Sequence, residues 1–221
     1  MRKLLLFLIL LIILLAVTDR VAVAGVERDL ANRIAAATDV SGTPEVEIIG
    51  VPFLTQAVSG HYPEVRFDIG TLRYGGVPIE DLKGAAYDVT APLADLLQNR
   101  ADIRAGRIAV SGTLTNATID RFAPQGVKIR GKGDRFVASG ELVVGAQKVE
   151  FTAEMKAELT DDGIRLQAEK IEGVPAALAR FVNYTIPFKG KLPFDVKVTE
   201  VRSVPGGLQI SAEASDVPLR G

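Results

Sequence analysis

Ser59-Gly60-His61 is the nearest thing in this chain to a Ser–His catalytic pair. Residues two apart pair only through a sharp turn, and the Gly-x-Ser-x-Gly elbow that exposes a hydrolase serine does not occur. His61 is the sole histidine, so no second one exists to build a triad. A solvated loop is the expected setting, and no catalytic residue is assigned. Cysteine is absent, which removes thiolate nucleophiles, thiolate metal ligands, disulfides and a lipobox anchor. Asp161-Asp162 reads as turn residues and not as metal ligands. Gly131-Lys132-Gly133 lacks the helix signature of a phosphate-binding loop and reads as an ordinary loop. Asn116-Ala117-Thr118 and Asn183-Tyr184-Thr185 match the glycosylation pattern, which matters only in a suitable host. The remaining carboxylates fall on alternating stretches, where a solvated face accounts for them. No metal and no cofactor are expected.

The informative chemistry is apolar. Val51-Pro52-Phe53-Leu54 and the stretch from Phe181 to Phe188 set bulky groups beside Pro or Gly at the ends of regular elements. Such residues either pack a core or line a tunnel for acyl chains, which gain ~0.8 kcal/mol per methylene by leaving water. The candidate lipid-binding residues are Phe53, Leu54, Phe67, Phe151, Met155, Phe181, Tyr184 and Phe188. Pattern alone does not separate tunnel from core.

Two of these sit in the most regular segment. Val149, Phe151, Ala153, Met155, Ala157 and Leu159 alternate without a slip against polar residues, a period of two that gives a strand one apolar face. At about 3.3 Å per residue this strand runs roughly 35 Å. Asp162-Gly163 predicts a two-residue hairpin that pairs Leu159 with Leu166 and Ala157 with Ala168. Shorter alternations occur at Val46/Ile48, Val65/Phe67/Ile69, Ile108/Val110 with Leu114, Phe194/Val196/Val198 and Leu208/Ile210/Ala212/Ala214. Pro205-Gly206-Gly207 reads as a turn.

Helical signals are fewer. Asp19 to Asp39 reads as one amphipathic helix with Val23, Val26, Leu30 and Ile34 on one side. Short helices are expected at Pro52 to Val58, at Leu93/Leu96/Leu97 after Thr90 and Pro92, and at Leu178/Phe181/Val182 between Pro175 and Pro187. Gly-Val-Pro at Gly50, Gly76 and Gly173 reads as strand-to-helix punctuation. The fold class is therefore α+β: a long, highly twisted antiparallel sheet wrapped around a long N-terminal helix and short helices. No Gly-, Pro- or Ser-rich linker divides residues 25–221, which are read as a single exported domain.

Charge and targeting narrow the function. Lys+Arg number 26 against 27 Asp+Glu, so there is no basic excess for nucleic acid. Arg2 and Lys3 precede an apolar run from Leu4 to Val17, closed by Thr18-Asp19-Arg20. The basic flank stays cytoplasmic and the rest is exported to the cell envelope, at the periplasmic face of the cytoplasmic membrane. The run is shorter than the ~20 residues of a comfortable transmembrane helix. Residues 1–24 are thus either a signal peptide cut at Ala22-Val23-Ala24 or a signal anchor that continues into the helix.

The membrane-directed helix running into Asp19-Arg20, then Gly50-Val51-Pro52-Phe53-Leu54-Thr55-Gln56, resembles the start of the actinobacterial LmeA-type envelope proteins. Leu192-Pro193-Phe194-Asp195-Val196, Gly206-Gly207-Leu208-Gln209-Ile210-Ser211-Ala212 and Asp216-Val217-Pro218-Leu219 resemble that family's close. The resemblance spans nearly the whole chain through structural motifs, with no catalytic signature among them. It implies phospholipid binding at a membrane surface, on a tubular lipid-binding fold of the bactericidal/permeability-increasing type. It also implies a link to lipoglycan (lipomannan) elongation, which one member supports. Three functions stay open: an envelope lipid-binding or lipid-transfer protein, an exported lipid hydrolase using Ser59 and His61, and a non-enzymatic scaffold with a filled core.

Overall fold

The apolar run and the amphipathic stretch that follows form one element, helix α1 (Arg2–Ala37), 36 residues long. The structure, a computed structural model, describes residues 2–37, 39–91, 103–132, 135–144, 147–160, 163–173, 182–187 and 196–219. Large side chains from Leu4 to Val17 are all exposed. Beyond them Asp19 and Val23 are buried, and Glu27, Leu30 and Ile34 are half-buried, which is the helical period expected of a packed stripe. Val26, expected on this stripe, is instead exposed. Glu27 takes that place because its Oε1 accepts the Ile48 N–H at 2.8 Å.

The chain divides into two compact units, residues 1–69, 83–109 and 214–221 in one and residues 70–82 and 110–213 in the other. In the first unit α1 packs against strand β2 (Glu45–Ile49) and helix α2 (Phe53–Ser59). A seven-stranded sheet takes the order β1 (Val40–Ser41), β3 (His61–Tyr74), β4 (Val77–Thr90), β5 (Ile103–Thr115), β12 (Gly207–Leu219) and β11 (Lys197–Val204), with β2 added to β3. Strands β3, β4, β5 and β12 supply residues to both units. Gly75 and Gly76 both hold positive φ (59° and 87°), the requirement of a tight two-residue turn between β3 and β4. The second Gly-Val-Pro therefore begins in a hairpin turn and leads into strand β4, not a helix, whereas the first leads from β2 into α2 as expected.

The second unit carries a five-stranded antiparallel sheet in the order β10 (Tyr184–Pro187), β9 (Gly163–Glu172), β8 (Gln147–Thr160), β7 (Arg135–Val144) and β6 (Val127–Lys132). The long alternating strand is β8, with Phe151, Ala153 and Met155 buried and Thr152 and Lys156 exposed. Its hairpin turns one residue earlier than the Asp162-Gly163 reading. Leu159 pairs with Ile164, Ala157 with Leu166 and Thr160 with Gly163, and the Thr160 hydroxyl donates to the Gly163 carbonyl at 3.0 Å. Asp161 and Asp162 themselves lie outside the described residues. Because each partner moved by two positions, the apolar residues keep one face. A bulge between Glu154 and Met155 then shifts the register by one and sets Ile171 opposite Ala153.

Helix α3 (Asn116–Phe122) starts on Thr115, whose hydroxyl caps the Thr118 N–H. Its Ile119 joins a core built from Val77, Leu114 and Leu208 of the seven-stranded sheet and Ile129, Phe151, Leu166 and Ile186 of the five-stranded one. Edge strands β6 and β11 close on each other at Gly131, where a Cβ would run into the Ser203 side chain. Gly131 and Lys132 thus belong to a strand and not to a loop. Pro187 ends strand β10, not a helix, since Tyr184 pairs with Leu166 and Ile186 with Ile164. The helices expected at Leu93/Leu96/Leu97 and around Leu178 fall outside the described residues. With three helices among the described residues and antiparallel pairing in every register above, the class is α+β, as the sequence implied.

Candidate functional site

In the first unit Phe53 is 4% exposed and lies against the Tyr62 ring, centroids 6.2 Å apart at a 34° tilt. Pro52, the N-cap of α2, has no side-chain donor or acceptor to offer the helix. Asp19 of α1 supplies the cap from 35 residues away, its Oδ1 accepting the Leu54 N–H at 2.8 Å. Its other oxygen takes Arg20 at 2.5 Å, so the buried carboxylate is paired on both sides. Leu54 is accordingly a docking point for α1 through its backbone. Gly60 closes α2 in the left-handed region at φ 69°, its N–H donating to the Gln56 carbonyl at 2.8 Å. Phe67 stands opposite Val46, and its ring covers Gly84, where a Cβ would meet that ring at 2.5 Å. A ring over a strand glycine fills the space the missing side chain leaves.

In the second unit Phe151 and Met155 are 3% and 5% exposed, members of the same buried cluster. Met155 pairs with Phe136 on one side and Ala168 on the other. Ala138 and Ala153 face each other across β7 and β8, and Ala157 and Ala168 border the same cluster. These small side chains stand on the inner face between larger ones, Phe136, Phe151, Met155 and Leu166. Tyr184 packs on this cluster too, and its buried hydroxyl has no hydrogen-bond partner among the described residues. Burial pushes its phenol well above the usual range, with the Asp120 charge adding to the effect. Asp120 itself is held by a two-pronged fork from Arg130 at 2.9 and 2.8 Å, which keeps its carboxyl below the usual carboxylate range.

Phe151, Met155 and Tyr184 therefore share one apolar interior, while Phe53, Leu54 and Phe67 serve the first unit. Phe181 and Phe188 lie outside the described residues. Clefts open at the surface among the described residues. One of about 250 Å³ in the second unit is polar, lined by Asn116, Arg130, Ser203 and Pro205 among others. Another, about 570 Å³, is an open, mostly apolar furrow on one face of α1 itself between Ile13 and Arg28, with Val17, Arg20 and Val21 along it. Sequence reasoning missed Asp19 and Glu27 as the anchors of α1, and the Asp120–Arg130 pair beside Tyr184. The only hint was an acid at helical spacing on a stripe otherwise apolar.

The Ser59–His61 geometry is not that of a nucleophile and its base. Ser59 Oγ donates to the Gln56 carbonyl at 2.9 Å and accepts the His61 backbone N–H at 3.4 Å. The exposed imidazole lies instead 3.9 Å from Asp88. Among the described residues no group of three or more His, Asp or Glu could hold a metal ion.

A model of the LmeA-like phospholipid-binding family matches residues 17–213, nearly the whole chain. No curated protein and no solved structure matches it.

Proposed function

The chain belongs to the LmeA-like phospholipid-binding family, and from that premise we propose that it holds a diacyl phospholipid by its tails in the apolar interior of the second unit. The family match over residues 17–213 carries this reading. Support comes from the apolar inner face, where Ala138, Ala153, Ala157 and Ala168 stand among Phe136, Phe151, Met155 and Leu166 and leave less side-chain volume for an acyl chain to displace. The unpartnered Tyr184 hydroxyl supplies a donor for a lipid ester oxygen in that same interior. Because the inner faces pack on each other, tail entry requires them to part.

We assign the protein to the exported face of the cytoplasmic membrane with residues 1–24 retained as an anchor. Cutting after Ala24 would strip Val23 from the packed stripe and Asp19 from the α2 cap. The role is binding or transfer and not catalysis, with Ser59 and His61 uninvolved. Support of lipoglycan elongation rests on the family resemblance alone. A scaffold with a filled core is the competing reading, favoured by the close packing of Phe151 and Met155. Native mass spectrometry of the full-length protein in mild detergent, with phosphatidylglycerol added, separates the two. A single saturable lipid adduct supports the proposal, and a featureless statistical series of adducts overturns it.

A further inference from the structure

The exposed apolar residues of the first unit are not confined to the N-terminal run. Val21, Val51 and Val58 are 68%, 78% and 79% exposed, as bare as the residues of the run itself. Val51 precedes α2 by two positions and Val58 is in its last turn. The bond from the Leu54 N–H to Asp19 fixes α2 beside α1 two residues past Val17, about 3 Å farther along the helix axis. A seven-residue helix is only about 10 Å long, so all of α2 stays within about that distance of Asp19. The headgroup layer on one side of a bilayer is about 5–8 Å thick. An anchor in the membrane therefore brings α2 to the membrane surface.

The length of the anchor points the same way. Leu4 to Val17 spans about 21 Å as helix, against about 30 Å of hydrocarbon, so the apolar stretch alone falls short. Val21 lies about 6 Å beyond Val17 along α1 and extends the stretch. The obstacle to sinking that far is the Asp19 charge, and the fold offsets its cost by pairing the carboxylate with Arg20 and the Leu54 N–H. Arg20, half-exposed beside the apolar cleft along α1, is placed to reach lipid phosphates.

We propose that Val51 and α2, with Val21 of α1, form a membrane-seated edge whose partner is the headgroup–acyl boundary of the bilayer that holds α1. This rests on α1 being a retained anchor, and it adds that the exported domain is docked on the membrane and not merely tethered to it. Such docking would set the lipid-binding protein against its lipid source.

The chain has no tryptophan, so each single variant Val51→Trp, Val58→Trp and Asn32→Trp reports one site. Asn32, exposed on α1 about 22 Å past Val17, is the control. Each full-length variant is reconstituted in phosphatidylcholine–phosphatidylglycerol vesicles with brominated acyl chains, and vesicle flotation is measured alongside. The Val51→Trp and Val58→Trp variants should lose about half or more of their emission to the bromines, as for side chains buried at the interface, and Asn32→Trp should lose little. A chain that floats while all three variants are quenched equally little leaves the anchor standing and overturns the docking. A chain that fails to float overturns both.

Discussion

Ala153→Leu adds three carbons to the middle of the second unit's interior, at a side chain 1% exposed and directly opposite Ala138. If acyl chains lie along that face, the added carbons exclude about three methylenes from it. At ~0.8 kcal/mol each the loss is about 2.4 kcal/mol. At 1.4 kcal/mol per decade this weakens binding about 50-fold. The same carbons overpack the lipid-free core at a cost of about 1–3 kcal/mol. That lowers the melting temperature by roughly 2–4 °C per kcal/mol in a chain of this size. Binding is read by titrating phospholipid onto the full-length protein, and folding by far-UV circular dichroism and its melt. The combination expected is a native-like spectrum, a modestly lower melt and a much weaker titration. A correctly folded variant that binds lipid as well as the parent would refute the placement of the tails on this face.

Tyr184→Phe removes a buried hydroxyl that lacks a partner, so the lipid-free protein should be stabilised by about 1 kcal/mol while lipid affinity falls, which paired melts with and without lipid would read. For Asp120, the Arg130 fork depresses the folded pKa, so its stabilisation is complete above the unfolded value of about 3.9 and is lost as pH falls through the lower folded value. Since both side chains are partly exposed, Asp120→Asn should cost only about 0.5–1 kcal/mol at neutral pH and nothing in strong acid, as measured by denaturant midpoints across pH. Ser59→Ala and His61→Ala should leave both lipid binding and the phospholipid esters unchanged by mass spectrometry; ester cleavage that one of them abolishes would restore the hydrolase reading.

Strand β8 was legible because its alternation is unbroken, and one face of it is buried as that pattern demands. Its hairpin register was not, since Asp162-Gly163 is the stronger local turn signal and only the ladder, with Thr160 opposite Gly163, overrides it. Strand β4 was missed because its pattern is broken by Pro78, Gly84, and Asp81 and Asp88 at positive φ. Strands β6 and β7 do have a buried apolar face in Val127, Ile129, Phe136 and Ala138, but glycine interrupts it at Gly131, which the Ser203 side chain approaches, and at Gly140, which the Gly126 backbone approaches, and neither contact shows in composition. For the candidate site, Phe151 and Met155 followed from periodicity. Tyr184 is among the candidates too, but on a segment expected to be helical between Pro175 and Pro187, because the pairing of β10 with β9 that buries it is a long-range contact. Asp19 was read as the polar end of a targeting segment, and its cap on Leu54 joins residues too far apart in sequence for any local pattern.

The chain has two methionines, Met1 and Met155, and the second is 5% exposed in the proposed lipid interior. Replacing both with a diazirine analogue of methionine, irradiating the full-length protein in phospholipid vesicles and sequencing the cross-linked peptides by mass spectrometry asks what touches Met155. Met1, beside the membrane-directed run, reports that the cross-linker captures lipid at all. The account predicts a phospholipid mass on the peptide that carries Met155. Lipid on Met1 together with only protein cross-links at Met155 would contradict it and leave a filled core in place of a binding site.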